Sequence, residues 1–421
     1  MNIFSKELLM AIKSAGGVAK IACSDNTTWV LLENGDLYGC GSGYYGQQGD
    51  GTTGSGARVT TFTKRASNIK DVSCSGYATW YITKNGDLYG CGSGQYGQQG
   101  NGSTSNVTTF TKRASNVVQV VCSKDASYFT TWYIDNNGDL YGCGSGRSGQ
   151  QGNGSTSDVT TFTKRASNVS QVACSQQTTW YITKNGDLYG CGYGSSGQQG
   201  NGSSSNVTTF TKRASNVATV LPAYNKTLYL DNNGDLYATG IRYYDASIDF
   251  GVNALTFSKI ASNIKQAVCS SNDIWYIDNS NRLYGDGSNN SYGQLGNGTT
   301  NLNQYYDSVG YYFGDPVKTN IAQVVCSEQT TWYIDNNGDL YGCGKGGEGQ
   351  QGSGGTFNVV RFIEYMESEN NISQVVCSGF TTWCIDDNGN LYGCGYGGGG
   401  TQGNGTTTNQ LTFENKMQYI N

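Results

Sequence analysis

Short apolar runs alternate with Gly- and Asn-containing turns along the whole chain. The clearest case is Asn85-Gly86, which lies between the runs ATWYIT and LYGCG. Asn-Gly between two such runs is a strong β-hairpin signal, because both central residues of a two-residue turn need positive φ. A two-residue turn there pairs Ile82 with Tyr89 and Trp80 with Cys91. Both sides of the hairpin are then apolar, so we expect both to be covered.

The hairpin recurs at intervals of 47 to 57 residues, which indicates a repeat architecture. The tyrosine that follows the turn is found at Tyr38, Tyr89, Tyr141, Tyr189, Tyr237, Tyr284, Tyr341 and Tyr392. A tryptophan precedes the turn in seven units, and the fifth has Leu228 in its place. Each unit contains four short apolar strands, which predicts blades packed around an axis. We predict an all-β protein, a single β-propeller of eight four-stranded blades.

The N-terminal residues differ from the repeats. Residues 1–17 predict a short amphipathic helix around Ser5–Ser14, ended by Gly16-Gly17, and residues 18–421 form the propeller. We expect the helix to cap the first repeat or to anchor the chain to a larger assembly. Glu7 and Lys13 interrupt any secretory apolar segment, so we expect a protein made in the cytoplasm without a signal peptide.

Composition narrows the chemistry. The chain has 62 glycines, two prolines and no histidine, so histidine-based catalysis and histidine metal sites are excluded. Fourteen cysteines without a secretory signal predict free thiols. Most of them recur at two places in the unit, such as Cys74 and Cys91, which the first hairpin strand should separate by too much for a disulfide. We interpret them as small buried hydrophobic residues.

Two apparent ligand motifs fail on context, so we expect no cofactor and no metal. Gly41–Gly46 matches G-x-G-x-x-G, but no helix follows it, as a dinucleotide site requires. Asp135-x-Asn137-x-Asp139 resembles the opening of a calcium loop, but the later Glu is missing. We attribute these residues to the chemistry of the hairpin turn.

Other recurring residues resemble a known family. Gly46-Gln47-Gln48-Gly49, Gly97-Gln98-Gln99-Gly100 and Gly293-Gln294-Leu295-Gly296 are similar to the GQLG signature of the RCC1 (regulator of chromosome condensation) repeat. The Val-x-Cys-Ser, Asn-Gly-Asp-Leu-Tyr and Gly-Cys-Gly elements follow its consensus in order, from about Val18 onward. The resemblance implies an RCC1-type propeller, usually of seven blades, whereas this chain has eight units. It also implies macromolecule binding through loops, as in a chromatin-bound exchange factor for a small GTPase and an inhibitor of β-lactamases.

Charge is unevenly distributed along the repeats. Residues 1–215 carry 17 basic and 12 acidic side chains, and residues 216–421 carry 9 and 19, which predicts an electrically lopsided ring. Basic pairs recur in the fourth strand at Lys64-Arg65, Lys112-Arg113, Lys164-Arg165 and Lys212-Arg213. We expect them to block pairing at exposed strand edges, with a phosphate-binding rim as the alternative. A pI near 4.9 argues against nucleic acid as a partner.

Two unusual loops suggest a binding site. Residues 241–253 of unit five and 301–315 of unit six follow the third strand and should emerge at the same end. Tyrosine beside Ser, Gly and Asn is typical of adaptable binding surfaces. We predict a partner surface there, with Tyr44-Tyr45 and Tyr96 as the alternative location. The predicted partner-binding residues are Tyr243, Tyr244, Tyr305, Tyr306, Tyr311, Tyr312 and Phe313.

These features favour a non-enzymatic binding or structural propeller that presents loops to a protein or glycan partner, without membrane insertion. The near-copy repeats suit a bacteriophage virion or tail-associated protein, or a cytosolic bacterial protein. The first alternative is a guanine-nucleotide exchange factor for a small GTPase. The second is a polysaccharide-active enzyme that uses carboxylates and tyrosine. A pocket with convergent carboxylates and tyrosines would favour the enzyme, and an aromatic loop face would favour binding.

Overall fold

Consecutive antiparallel strands form eight separate sheets in this computed structural model, which describes residues 16–123, 128–241, 253–287, 289–300, 316–366 and 371–420. Blades one to four contain β1 Val18–Cys23, β2 Thr27–Leu32, β3 Leu37–Ser42, β4 Arg58–Ala66, β5 Ile69–Cys74, β6 Ala78–Thr83, β7 Leu88–Gly92, β8 Val107–Ala114, β9 Val117–Cys122, β10 Thr130–Asp135, β11 Leu140–Gly144, β12 Val159–Ala166, β13 Val169–Cys174, β14 Thr178–Thr183, β15 Leu188–Gly192 and β16 Val207–Ala214.

The second half of the chain repeats this order. Blades five to eight contain β17 Val217–Pro222, β18 Lys226–Asp231, β19 Leu236–Ile241, β20 Asn253–Ala261, β21 Ile264–Cys269, β22 Asp273–Asp278, β23 Leu283–Gly287, β24 Ile321–Cys326, β25 Thr330–Asp335, β26 Leu340–Gly344, β27 Val359–Met366, β28 Ile372–Cys377, β29 Thr381–Asp386, β30 Leu391–Gly395 and β31 Gln410–Asn415. A 3₁₀ turn, Met417–Tyr419, follows β31.

The eight-bladed propeller predicted from the repeats is confirmed. Within the described residues, seven sheets have four strands in the order of the chain. The sixth has three, and Lys318 adds a single bridge to Leu283 where a fourth strand would pair. The predicted N-terminal helix lies in residues 1–15, outside the described residues. In the described part of the chain, no helix combines the length and apolar character needed to cross a bilayer.

The predicted hairpin register is wrong by one residue. Ile82 lies opposite Leu88 and Trp80 opposite Gly90, so the loop has three residues instead of two. Only Gly86 of the Asn-Gly pair has positive φ, at 84°. The hydroxyl of Thr83 accepts a hydrogen bond from the Asp87 N–H at 3.0 Å, which favours a three-residue loop that ends in a left-handed glycine.

The corrected register places tryptophan over glycine. Trp80 and Gly90 share one face of the hairpin, while Tyr81 and Tyr89 stack on the other at 5.1 Å. The predicted burial of the tryptophans between blades is confirmed, since all seven are 0 or 1% exposed. Each meets a phenylalanine from the fourth strand of the next blade, as Trp80 meets Phe162 at 5.8 Å. These contacts form the hydrophobic core of each seam.

The seam between blades five and six is the exception. Leu228 replaces the tryptophan there, and its partner on the third strand is Ala238 instead of glycine. Since leucine does not extend over the neighbouring strand as an indole does, a methyl group can be accommodated. The two residues pack with Ile264 and Tyr276 of blade six.

The ring closes without a blade shared between the two ends of the chain. Phe62 of blade one contacts Trp383 of blade eight at 6.0 Å, the same pair that joins other neighbouring blades. The Val18 N–H donates to the Gly389 carbonyl at 3.1 Å, and Thr61 bridges to Asn404. Blades one and eight therefore meet through the ordinary seam.

Polar side chains of the innermost strands also join neighbouring blades. The Gln119 amide accepts from the Val172 N–H at 3.2 Å and donates to the Val172 carbonyl at 3.3 Å. Lys20 and Asp71 form an ion pair of 2.5 Å at the equivalent place between blades one and two. These contacts satisfy backbone groups that the innermost strand would otherwise leave unpaired.

The cysteines form no disulfide and 13 of the 14 occupy two fixed places, as predicted for most of them; the exception is Cys384 on β29. Cys74 pairs with Thr79, which in turn pairs with Cys91, so the first hairpin strand separates the two thiols. Cys91 is fully buried and its thiol donates to the Gln47 carbonyl of the preceding blade at 3.4 Å. Burial raises the pKa of the Cys91 thiol well above its ordinary value.

Candidate functional site

The two faces of the ring differ in what they expose. Thr27, at the start of β2, pairs with Gly41, near the end of β3, so the loops after the first and third strands leave at one end of each blade. We call this end the loop face. The opposite end carries the hairpin turns and the connections to the next blade, and we call it the turn face.

Hydrogen bonds attach the GQQG loop of blade one both to its own blade and to the next blade. Gln47 accepts from the Tyr45 N–H at 2.8 Å and donates to the Gly76 carbonyl of the next blade at 3.2 Å. Gln48 donates to the Cys40 carbonyl of its own third strand at 2.8 Å. Both glutamines are buried. The recurring glutamines are therefore structural, and they hold neighbouring residues of the loop in fixed positions on the loop face.

A continuous row of aromatic rings crosses the loop face from blade one to blade three. The Tyr44–Tyr45, Tyr45–Tyr77 and Tyr77–Phe129 ring centroids are 4.7, 5.0 and 5.1 Å apart. Tyr96 is 6.5 Å from Phe129. Tyr44 is 49% exposed, Tyr45 and Tyr77 are half-buried, and Phe129 is buried. We call these five residues the aromatic row.

Arg147 extends the aromatic row on the side of blade three. Its guanidinium carbon lies 4.8 Å from the centre of the Tyr96 ring. Arginine over an aromatic ring contributes about 0.5–1 kcal/mol at an exposed site. A surface with tyrosines in edge-to-face contact and an arginine at its edge has the composition of a protein-binding site, in which Tyr and Arg are enriched.

The loop face carries further aromatic residues around the ring. Tyr193 and Tyr224 stack at 6.4 Å between blades four and five. The Lys345 ammonium lies 5.2 Å from the Tyr292 ring and 5.3 Å from the Phe380 ring. These pairs form smaller patches on the same face as the aromatic row.

All seven residues of the predicted partner surface, Tyr243, Tyr244, Tyr305, Tyr306, Tyr311, Tyr312 and Phe313, lie outside the described residues. The third strand of blade five ends at Ile241, next to the first loop, whereas residues 289–300 separate the end of the third strand of blade six, at Gly287, from the second loop. Lys226 pairs with Gly240 and Asp273 with Gly287, which places both strand ends on the loop face. After the second loop, however, the Val317 N–H donates to the Leu283 carbonyl at the turn-face end of β23, so a shared exit of the two loops on the loop face stays a prediction, as does their role.

Two buried ionisable side chains lie beneath the ends of these two strands. Lys226 is 3% exposed and Asp273 is 0% exposed, at positions where the other six blades have Thr or Ala. Burial lowers the pKa of the Lys226 ammonium, and burial raises the pKa of the Asp273 carboxyl. Blades five and six therefore differ from the rest in their interior as well as in their loops.

The calcium-like motif has a structural role in the hairpin turn. Asp135 Oδ1 accepts from the backbone N–H groups of Asn137 and Asp139 at 3.0 and 2.9 Å. The carboxylate thereby caps the three-residue loop, as the Thr83 hydroxyl does in blade two. The prediction that turn chemistry explains this motif is confirmed.

The turn face has a polar cavity of about 320 Å³ between blades seven and eight. Asp335, Asp387, Asn336 and Asn371 are among its lining residues, and no tyrosine is. Asn371 donates to Asp387 at 2.9 Å, so one of the two carboxylates is already engaged. This cavity therefore does not combine carboxylates with tyrosine, the arrangement that would favour the enzyme hypothesis.

Sequence reasoning named Tyr44, Tyr45 and Tyr96 only as an alternative location and missed Tyr77 and Phe129. The latter two belong to loops after the first strand of blades two and three. They join the other three only because consecutive blades are neighbours in space. The sequence signal that could have identified Tyr77 and Phe129 is an aromatic residue at a loop position where blades one and four have Asn26 and Gln177.

Comparison with known proteins supports the fold and the repeat. The family model for the "Regulator of chromosome condensation (RCC1) repeat" matches residues 18–47 and 69–98. The chain is 29% identical over 110 residues to the human "RCC1-like G exchanging factor-like protein", a match that covers 25% of this chain and 24% of the relative. The chain thus spans about a quarter of the length of that curated relative.

Solved structures show the same fold over most of the chain. The crystal structure of human WBSCR16 has 19% sequence identity and a TM-score of 0.59, covering 82% of this chain and 97% of that one. Prp20p from Saccharomyces cerevisiae, studied for its binding to Gsp1p and histones, has 17% identity and a TM-score of 0.58, covering 80% and 87%.

The repeats that match the family model lie in blades one and two, and most of the other blades place the same residue types at the same positions, with blade five as the main exception. The Trp–Phe seams, the buried glutamines and the capped hairpin turns recur around the ring. This chain is an eight-bladed β-propeller whose first two blades match the RCC1 repeat.

Proposed function

We propose that this protein is a non-enzymatic binding propeller that holds a protein partner against its loop face. The observation that carries the proposal is the aromatic row. Its rings are packed on a rigid scaffold but leave Tyr44 half exposed, which is the arrangement expected of anchors that lose little side-chain entropy on binding.

The relatives support a protein as the partner. Prp20p is a protein with binding properties toward Gsp1p and histones, and another crystal structure contains it bound to Kap60. We therefore favour a protein partner over a glycan. Glycan binding stays a prediction from the sequence alone. The loops of units five and six belong to the same proposed face, with the seven aromatic residues named above as further anchors.

The experiment compares two sets of alanine substitutions in one binding assay. Tyr44→Ala with Tyr77→Ala should weaken the affinity for a purified partner by about 30-fold or more, because truncating a buried aromatic anchor typically costs 2 kcal/mol or more. A Tyr305, Tyr306, Tyr311 and Tyr312 alanine variant tests the second part of the face. The matched control is Tyr292→Ala on the Lys345 patch.

Full affinity in both loop-face variants, with unchanged circular dichroism, would contradict the proposal. A loss in only one variant would assign the partner to that part of the face. The partner itself is best obtained from the native host by affinity capture, followed by purification and a titration.

Guanine-nucleotide exchange on a small GTPase is the second candidate. It is favoured by the match to the human exchanging factor-like protein, which covers a quarter of this chain. The test is release of a fluorescent GDP analogue from a purified small GTPase of the host. If the wild type accelerates GDP release and the Tyr44/Tyr77 alanine variant does not, nucleotide exchange is the activity of the proposed face.

Three finer expectations remain proposals. These are a bacteriophage virion or tail as the setting, a cytoplasmic or virion location, and residues 1–17 as an anchor to a larger assembly. Mass spectrometry of purified virions tests the first two. Deletion of residues 1–15 followed by a test of incorporation into the assembly checks the third.

A further inference from the structure

In the described part of the chain, three kinds of contact recur at seven of the eight seams. The first is the Trp–Phe contact, in which the indole of one blade meets a phenylalanine of the next, as Trp132 meets Phe210 at 5.8 Å. The same contact joins the other six pairs of blades. Because it buries two aromatic side chains against each other, its loss weakens a seam.

The second contact is a hydrogen bond from the third strand to the loop of the preceding blade. The Cys143 thiol donates to the Gln98 carbonyl at 3.4 Å, and in blade five the Thr239 hydroxyl donates to the Gly197 carbonyl at 2.9 Å. The thiols that donate at the equivalent place are those of Cys40, Cys91, Cys191, Cys343 and Cys394. Each of these bonds joins a buried strand to the loop across the seam.

The third contact is a backbone bridge between the loop after the third strand and the outer strand of the next blade. Asn153 of blade three pairs in this way with Thr209 of blade four. The other six bridges are Asp50–Thr109, Asn101–Thr161, Asn201–Thr256, Asn297–Arg361, Ser353–Thr412 and Asn404–Thr61. Each loop thereby holds the outer strand of its neighbour.

Among the residues that the structure describes, all three contacts are missing at the seam between blades five and six. Leu228 replaces the indole. Asp286 stands where the other seams have a thiol or hydroxyl donor, and a carboxylate accepts hydrogen bonds instead of donating them. The loop of unit five, residues 241–253, contains no glutamine and so lacks the GQQG motif. The first two losses follow directly from the side chains at these positions.

The third strand of blade six is also less covered than its counterparts. Residues 285–287 are half-buried, whereas the equivalent residues 142–144 of blade three are buried. Less apolar and backbone surface is therefore removed from water at this seam than at the others.

The contacts that join blade five to blade six are weaker in kind. Leu228 packs on Ile264 and Tyr276, without an aromatic partner of its own. The Cys269 thiol donates to the Leu221 carbonyl at 3.4 Å, and a thiol is a weak hydrogen-bond donor.

We infer that the seam between blades five and six is the place where this ring opens, at a lower free energy than any other seam and without unfolding of the blades. Each blade keeps its own strand pairing during the opening, because the missing contacts all lie between blades. Native proteins open in such cooperative units, and the units with the fewest buried contacts open first.

The opening changes one part of the loop face and not the other. It moves the loop-face end of β19 away from that of β23, so the spacing between blades five and six becomes adjustable. The aromatic row lies in blades one to three, which this seam does not touch, and it keeps its geometry. The ring therefore combines a rigid part of the loop face with an adjustable part.

Cysteine labelling measures the opening, because a buried thiol reacts only while its surroundings are open. Ile264→Cys reports on the seam between blades five and six, and Ile321→Cys is the matched control between blades six and seven. The two isoleucines occupy the same place in neighbouring blades and are 4 and 1% exposed. Each variant is pulsed with N-ethylmaleimide without denaturant, and peptide mass spectrometry measures the label at the introduced cysteine and at the buried Cys91 and Cys343. We expect position 264 to be labelled about tenfold faster, or more, than the other three.

A second variant gives the seam between blades four and five the composition of the open one. Trp180→Leu/Gly190→Ala reproduces Leu228 and Ala238 there, and Val217→Cys reports on it from the equivalent buried place. Position 217 should be labelled about tenfold faster, or more, in this triple variant than in the Val217→Cys single variant. The labelling rates of Cys91 and Cys343 should not change, since their seams are intact.

Equal labelling rates at positions 264 and 321 would overturn the inference. So would equal rates at all cysteines of one variant, because the ring would then open only by global unfolding. If Cys91 and Cys343 accelerate together with position 217, the tryptophan stabilises the whole ring, and that result would overturn the assignment of the opening to the missing indole.

Discussion

At the scale of residues, a tryptophan and a glycine determine the packing of the blade seams. In seven blades a Cβ on the third-strand glycine would lie 2.2 to 2.5 Å from the indole of the preceding strand. The glycine is needed for this close approach and not for its φ, which is not positive at Gly90. Trp80 can therefore lie flat on the neighbouring strand and present its edge to Phe162 of the next blade.

Gly90→Ala should destabilise the protein by about 1–3 kcal/mol, because the added methyl overpacks the core against the Trp80 ring. Gly56→Ala is the control, since nothing lies within 4 Å of a Cβ there and φ is not positive. Chemical denaturation of the two variants checks the difference. Equal stability of both would show that the indole does not lie over Gly90.

The sequence at this scale predicted which residues are buried but not how they face one another. Seven tryptophans in equivalent places indicated interior positions, and they are interior. The cross-strand partners were assigned from an Asn-Gly turn of two residues. The Thr83 or Asp135 side chain lengthens that turn by one, a local hydrogen bond that the Asn-Gly signal alone does not contain.

At the scale of elements, an ion pair and a hydrogen bond join the outer strand of a blade to the hairpin turn of the same blade. We call this pair of contacts the clamp. Lys112 Nζ lies 2.8 Å from the Asp87 carboxylate, and the Ser115 hydroxyl donates to it at 2.8 Å. Blades three and four repeat the arrangement at Asp139 and Asp187. The lysines of the basic pairs thus stabilise their own blade, and they also place charge on an exposed strand edge, as expected from sequence.

These clamps predict an acid-sensitive fold. The hydrogen bond from Lys112 and then that from Ser115 hold the pKa of Asp87 below its ordinary value of 3.8, and Asp139 and Asp187 are lowered for the same reasons. The folded state then binds fewer protons than the unfolded state below about pH 4. The stabilising contribution is present above pH 3.8 and is lost as pH falls through the folded pKa.

Carbon-detected NMR titration of the aspartate side chains measures this directly, and Tm at pH 3 against pH 6 measures its consequence. Asp87→Asn should show a smaller loss of Tm on acidification than the wild type. A titration of Asp87 at or above 3.8 would contradict the clamp.

The third-strand cysteines predict a second element-scale result. Cys91, Cys143 and Cys191 are buried, and burial raises the pKa of each thiol well above its ordinary value. We expect a thiol reagent to count 14 thiols per chain after denaturation without reductant, and far fewer in the folded protein. Rapid reaction of all 14 in the folded state would mean that the third strands are open to solvent.

At the scale of the molecule, the ring closes through a seam like any other. Phe62→Ala, at the junction of blades eight and one, should cost about 3–5 kcal/mol, as should Phe162→Ala between blades two and three. The physical reason is that both leave a cavity against a buried indole. Urea denaturation measures the free energy of unfolding of both variants. A negligible loss of stability for Phe62→Ala alone would indicate an open array of blades.

The number of blades was available from the sequence because each unit contributes one hairpin signal. The aromatic row was not, since its five members come from four loops of three blades and are brought together only by the curvature of the ring. The loops of units five and six stand out in sequence by their length and tyrosine content, and their predicted role awaits the binding assay described above.

The central claim is that a protein partner binds the loop face at the aromatic row, and site-specific photo-crosslinking tests it most directly. A benzophenone amino acid replaces Tyr44 on the loop face in one variant and the exposed Thr111 on an outer strand in another. The claim predicts that the probe at position 44 crosslinks to the purified partner in high yield and that the probe at position 111 does not. Crosslinking at position 111 with none at position 44 would contradict it.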